Sequence, residues 1–372
     1  MRIVLTGAHG FLGWHTRLLM STLGHDIVPV GRDEWADLPD LVRDADAVVH
    51  VAGVNRGDDG EVEQGNVRLA ADLAVALSAA RRGLHVVYAN SVQAGNGSPY
   101  GRGKAAAAQI LAQATERHGG VLRDVLLPNL FGEHGRPAYN SFVATFVDHV
   151  LHGRAPEVAD RPIELLHAQG AARALVDQLA AQTSGQAHPA GTPTTVSFVL
   201  ETLQHLDAVY RTGDMPALTT PLVRDLFNTL RAARFPGQYP ICLTPRTDQR
   251  GSLVEVVRSH GGEGQTFAST TLPGVTRGEH FHLRKVERFV VIGGRARIAL
   301  RRVFNSEVVA FDVDGDEPVA IDMPIGWAHN ITNIGQSELT TLFWTNELFD
   351  PASPDTWPEP VSKSEPEEVP TC

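Results

Sequence analysis

The chain has 372 residues, of which 42% are hydrophobic and 20% charged, a composition typical of a soluble globular protein with room for two domains. The formal net charge of −11 provides no basic field to displace counterions, so we expect no nucleic-acid partner. No apolar run approaches the ~20 residues of a membrane span and the N-terminus lacks signal-peptide organisation, so we expect no membrane partner.

Only two cysteines occur, Cys242 and Cys372. So few thiols argue against a disulfide framework or a cysteine-rich zinc site. They favour a reducing compartment, and we therefore expect a cytoplasmic protein.

From residue 1 to about 185, short apolar strands alternate with helical patterns, which predicts a Rossmann-type, doubly wound parallel sheet. The predicted strands are Arg2–Leu5, Ile27–Val30, Ala47–Val51 and His85–Ala89, and the predicted helices are Gly13–Leu23, Val67–Ala80 and 105–114. Residues 190–235 have a mainly helical pattern, and the break at Phe235–Pro240 predicts a connection between domains. We expect the first domain to span residues 1–238.

A glycine-rich motif, Thr6-Gly7-Ala-His-Gly10-Phe11-Leu-Gly13, follows the first strand and opens the first helix. Glycines in this pattern permit a tight turn and let the main chain approach a pyrophosphate, which lies on the helix N-terminus. The motif predicts dinucleotide binding by Gly7, Gly10, Phe11 and Gly13. The alternative is an ordinary strand-to-helix turn.

The second strand ends at Val30-Gly31-Arg32. An acidic residue at this place would accept a hydrogen bond from the ribose 2′-hydroxyl of NADH, whereas an arginine suits the 2′-phosphate of NADPH. Arg32 therefore favours NADPH. In the alternative, Arg32 is solvated and Asp33 or Glu34 binds the ribose.

The stretch Tyr100-Gly-Arg-Gly-Lys104 has the spacing that places both side chains on one face of a helix. A lysine charge lowers the pKa of a nearby tyrosine and can hold the cofactor ribose, so the phenol can exchange a proton with a substrate carbonyl. The motif lies between a strand and an Ala-rich helix, where an extended short-chain dehydrogenase/reductase requires it. We predict Tyr100 and Lys104 as catalytic residues, with Lys104 also binding the cofactor.

Beyond Gly251 the apolar segments become short, which predicts a β-sandwich or barrel. The segments are Phe289–Ile292, Ala296–Leu300, Val308–Phe311 and Leu339–Phe343. We expect residues 246–351 to form a second domain. Residues 352–372 are rich in Pro, Glu and Ser and are expected to form a disordered tail.

Two motifs in this region match those of the cupin fold, a jelly-roll β-barrel: Gly274-x5-His280-x-His282-x4-Glu287-x6-Gly294 and Pro324-x-Gly326-x2-His329-x3-Asn333. Strand alternation places His280 and His282 on one face, with Glu287 on the paired strand. Three imidazoles and a carboxylate suit a divalent transition metal such as Zn, Fe, Ni or Mn. We expect His280, His282, Glu287 and His329 to bind one ion, with Zn as the first choice; the alternative is an ordinary surface histidine pair.

Six further segments carry a resemblance to a known family: Val49–Arg56, Pro128–Gly132, Tyr139–Phe146, Asp248–Ser252, Pro324–Asn330 and Asn346–Pro351. Residues 1 to about 357 resemble the bifunctional enzymes of capsular polysaccharide synthesis. Those enzymes join an NADPH-dependent reductase, which forms UDP-2-acetamido-2,6-dideoxy-L-talose, to a C-terminal cupin epimerase.

The resemblance implies that the cupin epimerises C3 of a UDP-2-acetamido-2,6-dideoxy-4-ketohexose and that the reductase domain then reduces C4. It also implies that Ala52 lies beside the cofactor, that Asn129 lies beside the substrate, and that the chain forms a homodimer. The order of steps follows from chemistry, because the C3 proton is acidic only while C4 is a ketone.

Two features depart from the related families. Most extended reductases place a serine or threonine beside the catalytic tyrosine, whereas here Val92 takes that position and Ser91, which we include as a candidate, lies one residue away. Metal-free cupin epimerases use a tyrosine as proton donor, but all five tyrosines of this chain precede the cupin core. A catalytic cupin here would use another acid, such as a histidine, Lys285 or metal-bound water.

Two other functions stay open on the sequence alone. One is a 4-ketoreductase of a deoxysugar pathway that acts without epimerisation and carries a structural cupin. The other is a regulatory protein that binds NADPH as a redox signal and dimerises through its cupin. The presence of Tyr100, Lys104 and all four predicted metal ligands argues against the regulatory protein.

Overall fold

The structure of the chain, a computed structural model, describes residues 1–139, 141–361 and 367–368. The chain divides into two compact units, Met1–Thr145 with Val158–Ser197 and Phe146–Glu157 with Phe198–Cys372. Within the described residues, no helix is both long enough and apolar enough to cross a membrane.

Short apolar strands form the centre of the first unit. They are β1 (Arg2–Thr6), β2 (Asp26–Val30), β3 (Ala47–His50), β4 (His85–Ser91), β5 (Val121–Leu127), β6 (Asn129–Phe131), β7 (Pro162–His167), β8 (Gly185–Ala187) and β9 (Thr192–Thr195). Six of them form a parallel sheet in the order β2-β1-β3-β4-β5-β8, and β6, β7 and β9 form a small mixed sheet. The predicted parallel, doubly wound sheet is confirmed.

The helices alternate with these strands in the chain. They are α1 (Phe11–Thr22), α2 (Leu38–Arg43), α3 (Asp59–Ala80), α4 (Pro99–Arg117), α5 (Phe142–Leu151), α6 (Ala168–Asp177), α7 (Val196–Tyr210) and α8 (Pro221–Arg234), with 3-10 turns at Trp35–Asp37 and Gln178–Ala180. Leu73 of α3 and Leu111 of α4 share a fully buried core with Val4, Val48 and Val86 of the sheet. Ile3, Val4 and Leu5 of β1 are all buried, as expected for a parallel strand covered on both faces.

The strand order reverses at β1, which has β2 on one side and β3 on the other. Doubly wound sheets bind ligands at the carboxyl ends of the strands beside such a switch point. The glycine-rich loop follows β1, and Ala52 follows β3. The topology therefore brings two of the predicted cofactor-binding segments to one place.

The second unit is made mainly of antiparallel strands. They are β10 (Ile241–Cys242), β11 (Arg246–Asp248), β12 (Gly251–Leu253), β13 (Gln265–Thr271), β14 (Thr276–Phe281), β15 (Glu287–Gly293), β16 (Arg295–Arg302), β17 (Val308–Asp314), β18 (Val319–Met323), β19 (Trp327–Asn333), β20 (Leu339–Thr345), β21 (Trp357–Pro358) and β22 (Glu367–Glu368). One sheet has the order β10-β18-β15-β20-β13, a second has the order β21-β14-β19-β16-β17-β22, and β11 and β12 form a hairpin. Phe289 on β15 and His329 on β19 have ring centroids 5.6 Å apart, so the two larger sheets face each other across a shared core.

Helix α8 and most of α7 belong to the second unit. The predicted boundary differs, because it assigned residues 1–238, and with them both helices, to the first domain. Buried polar contacts are the physical reason. Arg231 on α8 donates to a main-chain carbonyl of β18 at 3.1 Å, and Tyr210 at the end of α7 donates to Asp322 at 2.6 Å. Asp322 also accepts two bonds, of 2.7 and 3.0 Å, from the fully buried guanidinium of Arg288. Removing the helices from these strands would leave buried polar groups without partners.

The beginning of the predicted disordered tail is ordered, which differs from the expectation for residues 352–372. Strand β21 pairs with β14, and Val361 is fully buried. Arg301 donates to the main-chain oxygens of Pro360 and Val361. The main chain of this segment is therefore held in place, which its composition does not predict. Residues 362–366 and 369–372, and with them Cys372, lie outside the described residues.

Candidate functional site

The glycine-rich loop between β1 and α1 packs closely against neighbouring main chain. Gly7 N donates to Val30 O at 2.8 Å, and the φ of Gly7 is +70°, in the left-handed region that favours glycine. A Cβ at Gly7 would lie 2.7 Å from Ala52 N, and a Cβ at Gly13 would lie 1.9 Å from Gly7 O. Side chains are therefore excluded at both glycines.

Helix α1 begins directly after this loop. Gly10 is its N-cap in an extended conformation, Phe11 is its first residue, and no acidic residue lies in the first turn. The N–H groups of a first turn and the helix dipole both favour a bound anion. The structure thus brings Gly7, Gly10, Phe11, Gly13 and Ala52 together at the switch point.

A buried row of side chains connects the loop to helix α4. Thr6 Oγ1 lies 2.7 Å from His50 Nδ1, and His50 stacks on Tyr88 with 5.6 Å between ring centroids. Lys104 Nζ lies 4.2 Å from the centroid of the Tyr88 ring. Burial, with a smaller contribution from the Lys104 charge, lowers the pKa of His50 to about 3, so this ring is neutral at pH 7. In the sequence, Thr6, His50 and Tyr88 look like ordinary core positions of strands. The contacts between them were therefore not predicted.

The end of β2 carries the residues weighed for the cofactor ribose. Glu34 folds back and its carboxylate accepts the Gly31 N–H at 2.8 Å, and this bond is the main cause that lowers the pKa of Glu34. Arg32 and Asp33 are exposed. Glu34 is thus the acidic side chain held at the strand end, and the binding of a 2′-phosphate by Arg32 stays a prediction.

The predicted catalytic residues meet at the start of α4. Ser98 caps this helix by accepting the Gly101 N–H at 3.0 Å, so Tyr100 lies in the first turn and Lys104 one turn later. Tyr100 interacts with the Ser91 hydroxyl at the end of β4. Burial raises the pKa of Tyr100 and the interaction with Ser91 opposes this rise, so the lowering expected from Lys104 is not the net effect. A raised pKa keeps the phenol protonated, as a proton donor requires.

Ser91, and not Val92, faces this helix. The side chain of Ser91 is buried, whereas Val92 is 52% exposed. Successive residues of a strand point to opposite faces, so the residue that ends β4 reaches Tyr100 and the next one does not. The one-residue offset seen in the sequence therefore leaves a hydroxyl beside the phenol.

Lys104 is buried, and its Nζ donates to Ala89 O at 2.6 Å. Burial lowers the pKa of Lys104 to about 7, and the charge of Asp124 acts in the opposite direction. Asp124 lies on β5, where its carboxylate accepts bonds from Asn90 at 2.8 Å and Gln186 at 3.0 Å. Sequence reasoning missed Asp124, because its link to Lys104 depends on the pairing of β4 with β5.

Asn129, predicted beside the substrate, lies on β6. Its side chain is exposed and donates to Glu164 O on β7 at 3.2 Å. A main-chain contact thus holds the amide, and its role in substrate binding stays a prediction.

The four predicted metal ligands converge in the second unit. One ligand atom from each of His280, His282, Glu287 and His329 lies within 4.8 Å of the other three. Glu287 Oε2 is the common point, 2.9 Å from His282 Nε2, 3.2 Å from His329 Nε2 and 3.9 Å from His280 Nε2. Side chains about 50 residues apart in the chain therefore form one compact cluster of nitrogen and oxygen donors.

The cluster joins the two facing sheets. The prediction that Glu287 lies on the strand paired with that of His280 is wrong, because β14 pairs with β19 and β15 belongs to the other sheet. His329, and not Glu287, is the direct cross-strand neighbour of His280. A β-bulge at Glu279, whose φ is +60°, lies immediately before His280 and changes the strand register there.

Hydrogen bonds fix which nitrogen of two imidazoles faces the cluster. His282 Nδ1 lies 2.6 Å from Asp355 O, and His329 Nδ1 lies 3.0 Å from Trp327 O. A carbonyl only accepts, so each Nδ1 carries a proton and each Nε2 faces Glu287. Two ring nitrogens and a carboxylate then meet at one point, where each nitrogen can bind a cation once it carries no proton. The donor set fits a divalent transition metal.

The protonation states agree with this arrangement. Burial lowers the pKa of His329 to about 4, so its ring is neutral at pH 7. Burial on its own raises the pKa of Glu287, but the charge of His282 and the hydrogen bonds of the three imidazoles outweigh it and hold that pKa well below its usual range. A neutral imidazole and an ionised carboxylate are the forms that bind metal.

A cavity of about 280 Å³ lies beside the cluster, with Glu287 and Lys285 in its wall. The exposed side chains of Phe267, Leu348 and Phe349 line another part of it. An apolar wall with a few polar groups is typical of small-molecule pockets.

A glycine loop at the switch point of a parallel sheet, together with a Tyr–Lys pair at the start of α4, defines a class of dinucleotide-binding enzyme. The family described as NAD dependent epimerase/dehydratase matches residues 3–188, and the chain belongs to this family. A second family, the polysaccharide biosynthesis C-terminal domain, matches residues 246–357.

The chain is similar to other proteins over nearly all of its length. It is 30% identical over 365 residues to UDP-2-acetamido-2,6-beta-L-arabino-hexul-4-ose reductase of Pseudomonas aeruginosa, covering 96% of this chain and 98% of that protein. It is 30% identical to the crystal structure of the capsular polysaccharide assembling protein CapF from Staphylococcus aureus, with a TM-score of 0.61, covering 97% of this chain and 100% of that one. A UDP-glucose 4-epimerase from Thermotoga maritima, 15% identical with a TM-score of 0.53 over 63% of this chain and 99% of its own, shares the fold alone.

Proposed function

We propose that the chain is an NADPH-dependent sugar-nucleotide 4-ketoreductase that also epimerises its substrate at C3. The observation that carries the reductase is that Tyr100 and Lys104 of α4 both reach the carboxyl end of β4, Tyr100 at Ser91 and Lys104 at Ala89 O. The name of the Pseudomonas relative, a reductase of a UDP-linked 4-keto sugar, supports the substrate class. The substrate is then a UDP-2-acetamido-2,6-dideoxy-4-ketohexose.

In the reduction, Tyr100 donates its phenolic proton to O4 of the sugar, and Ser91 holds the same oxygen. Lys104 binds the cofactor ribose, and Arg32 binds the 2′-phosphate. NADPH, when bound, supplies the hydride that adds to C4. One hydride and one proton convert the C4 ketone to an alcohol, so the step balances.

In the epimerisation, a base removes the C3 proton, the electron pair is held as an enolate with the charge on O4, and a proton returns to the opposite face of C3. No atom is gained or lost. The step precedes reduction because the C3 proton loses its acidity once C4 is an alcohol.

We propose that His280, His282, Glu287 and His329 hold one divalent ion, with Zn as the first choice. Such an ion, when bound, supplies positive charge that stabilises an enolate oxygen. The support is the pair of Nε2 atoms that face Glu287 and the cavity that has Glu287 in its wall.

We propose a homodimer as the state of the enzyme. Strand β13 is the edge of its sheet, and most of its residues, including Phe267, are exposed. A long exposed edge strand offers unpaired main-chain groups to a second chain.

A reductase that acts alone, with a structural second unit, is the second candidate. It is favoured by the absence of tyrosine from residues 246–351, since the related metal-free epimerases use that side chain as their acid.

Incubating the tag-free protein with the UDP-linked 4-keto sugar and NADPH tests the proposal. We expect NADPH oxidation in equal amount to product, and NMR should show inverted C3 and an alcohol at C4. A C4 alcohol with unchanged C3 would favour the second candidate, and no NADPH oxidation would overturn both.

A further inference from the structure

One residue of the segment that follows β20 contacts the loop between two candidate metal ligands. Asp355 is 3% exposed and has a φ of +43°. Its carboxylate accepts three consecutive main-chain N–H groups, those of Leu283 at 2.9 Å, Arg284 at 3.0 Å and Lys285 at 2.8 Å. Three N–H groups that point at one carboxylate define the path of the loop.

That loop connects His282, at the end of β14, with Glu287, at the start of β15 in the facing sheet. The main-chain oxygen of Asp355 also accepts the Nδ1–H of His282 at 2.6 Å. Asp355 therefore binds the loop with its carboxylate and sets the tautomer of a ligand with its carbonyl.

The rest of the loop is held by other partners. Asn228 donates to Arg284 O at 2.9 Å, and Asn346 both accepts the Val286 N–H at 2.7 Å and donates its own N–H to Val286 O at 3.2 Å. These contacts fix the end of the loop near Glu287. The three N–H groups nearest His282 are bound by Asp355.

We propose that Asp355 is a positioning residue of the metal centre, which holds His282 and Glu287 at ligating distance without binding the ion itself. The proposal rests on the proposed metal site. The Asp355 carboxylate accepts three N–H donors of the loop. Without this partner the N–H groups would be unsatisfied, and the loop would change its conformation. Partners in the outer shell of a metal site typically change metal affinity 10- to 100-fold.

The test measures the Zn²⁺ dissociation constant of the full chain by competition with a chromophoric chelator, and the visible absorption of the Co²⁺-loaded protein. Asp355→Asn should weaken Zn²⁺ binding by about 10- to 100-fold and change the Co²⁺ spectrum. Asp316→Asn removes an exposed carboxylate of the same unit and should change neither. NADPH binding should be unchanged in both variants.

Asp355→Glu keeps the carboxylate on a longer side chain, so its Zn²⁺ affinity should lie between those of the unmodified protein and the Asn variant. If the Asn variant does not fold, the Glu variant carries the test through its Co²⁺ spectrum. Unmodified Zn²⁺ affinity and spectrum in Asp355→Asn would overturn the role of Asp355 alone. Failure of the unmodified protein to bind Zn²⁺ would overturn the metal site, and this proposal with it.

Discussion

The two candidate sites are built in different ways. In the first unit, main-chain groups of the glycine loop and two side chains four residues apart on α4 supply the predicted chemistry, with Ser91 added from the adjoining strand. In the second unit, the donors come from three strands of two facing sheets and the residue after one of them, and main-chain carbonyls direct the nitrogens of His282 and His329. The first site depends on local geometry and the second on long-range packing.

This difference determines what a substitution does. Around Tyr100 and Lys104, burial sets the pKa values, so changes there should alter proton transfer more than stability. Around Glu287, the imidazoles hold a buried carboxylate in its ionised form, so changes there should alter metal binding and stability together.

The largest effect should come from Tyr100→Phe, which removes the proton donor from a site otherwise intact. We expect NADPH oxidation to fall by about 100- to 10,000-fold, while Zn²⁺ content is unchanged. Steady-state kinetics and metal analysis measure the two quantities. Tyr139→Phe, which changes an exposed tyrosine of the same unit, should retain the rate, and full activity in Tyr100→Phe would refute the assignment.

The next effect concerns the buried charge pair that joins α7 to the strands of the second unit. Asp322→Asn leaves the Arg288 guanidinium without its counter-ion and should lower the free energy of unfolding by about 3–5 kcal/mol. Asp312→Asn breaks the partly exposed pair with Arg297 and should cost about 1 kcal/mol or less. Urea denaturation compares the variants, and equal losses would show that burial of the pair does not matter.

A smaller effect should come from Arg32→Ala. A charged hydrogen bond to the 2′-phosphate contributes about 1.5–3 kcal/mol, so the preference for NADPH over NADH should fall by about 10- to 150-fold. The ratio of kcat/KM for the two cofactors measures it. Equal kcat/KM values in the unmodified protein would contradict the role of Arg32 and favour Glu34 as the ribose ligand.

The smallest effect is on pH dependence. Burial lowers the pKa of Lys104 to about 7, so the side chain is charged below this pH and loses its charge above it. We expect kcat/KM for NADPH to fall as the pH rises through 7. Asp124 acts to raise the pKa of Lys104, so Asp124→Asn should lower it. The alkaline limb of the pH profile of kcat/KM should then move to lower pH, by about one pH unit or less. A limb that does not move would show that Asp124 has no electrostatic effect on Lys104.

The sequence was sufficient to predict the parts of the site that are formed by residues close together in the chain. The glycine loop lies within eight positions of one strand-to-helix turn, and Tyr100 and Lys104 share one helix face. Their relative placement follows from local geometry, so the parallel sheet and the loop at its switch point could be predicted together.

The rest depended on contacts between distant residues. The bulge at Glu279 sets which strand lies opposite His280, and a left-handed glutamate has no sequence signature. Asp355 lies 73 residues from His282 in a segment whose composition is that of a tail. The one feature of the sequence that indicated an ordered main chain there was the aromatic residue Trp357 within the polar segment.

Deuterium incorporation at C3 of the UDP-linked 4-keto sugar, in D2O without NADPH, tests most directly whether the two sites carry separate chemistries. We predict exchange in the unmodified protein and in Tyr100→Phe, because exchange requires only the ketone and the second unit. His280→Ala, with its fold and oligomeric state verified, should lose exchange yet still reduce a 4-keto sugar that already has the product configuration at C3. Loss of both exchange and reduction in folded Tyr100→Phe protein would contradict the account, and the cluster around Glu287 would then not be the epimerase.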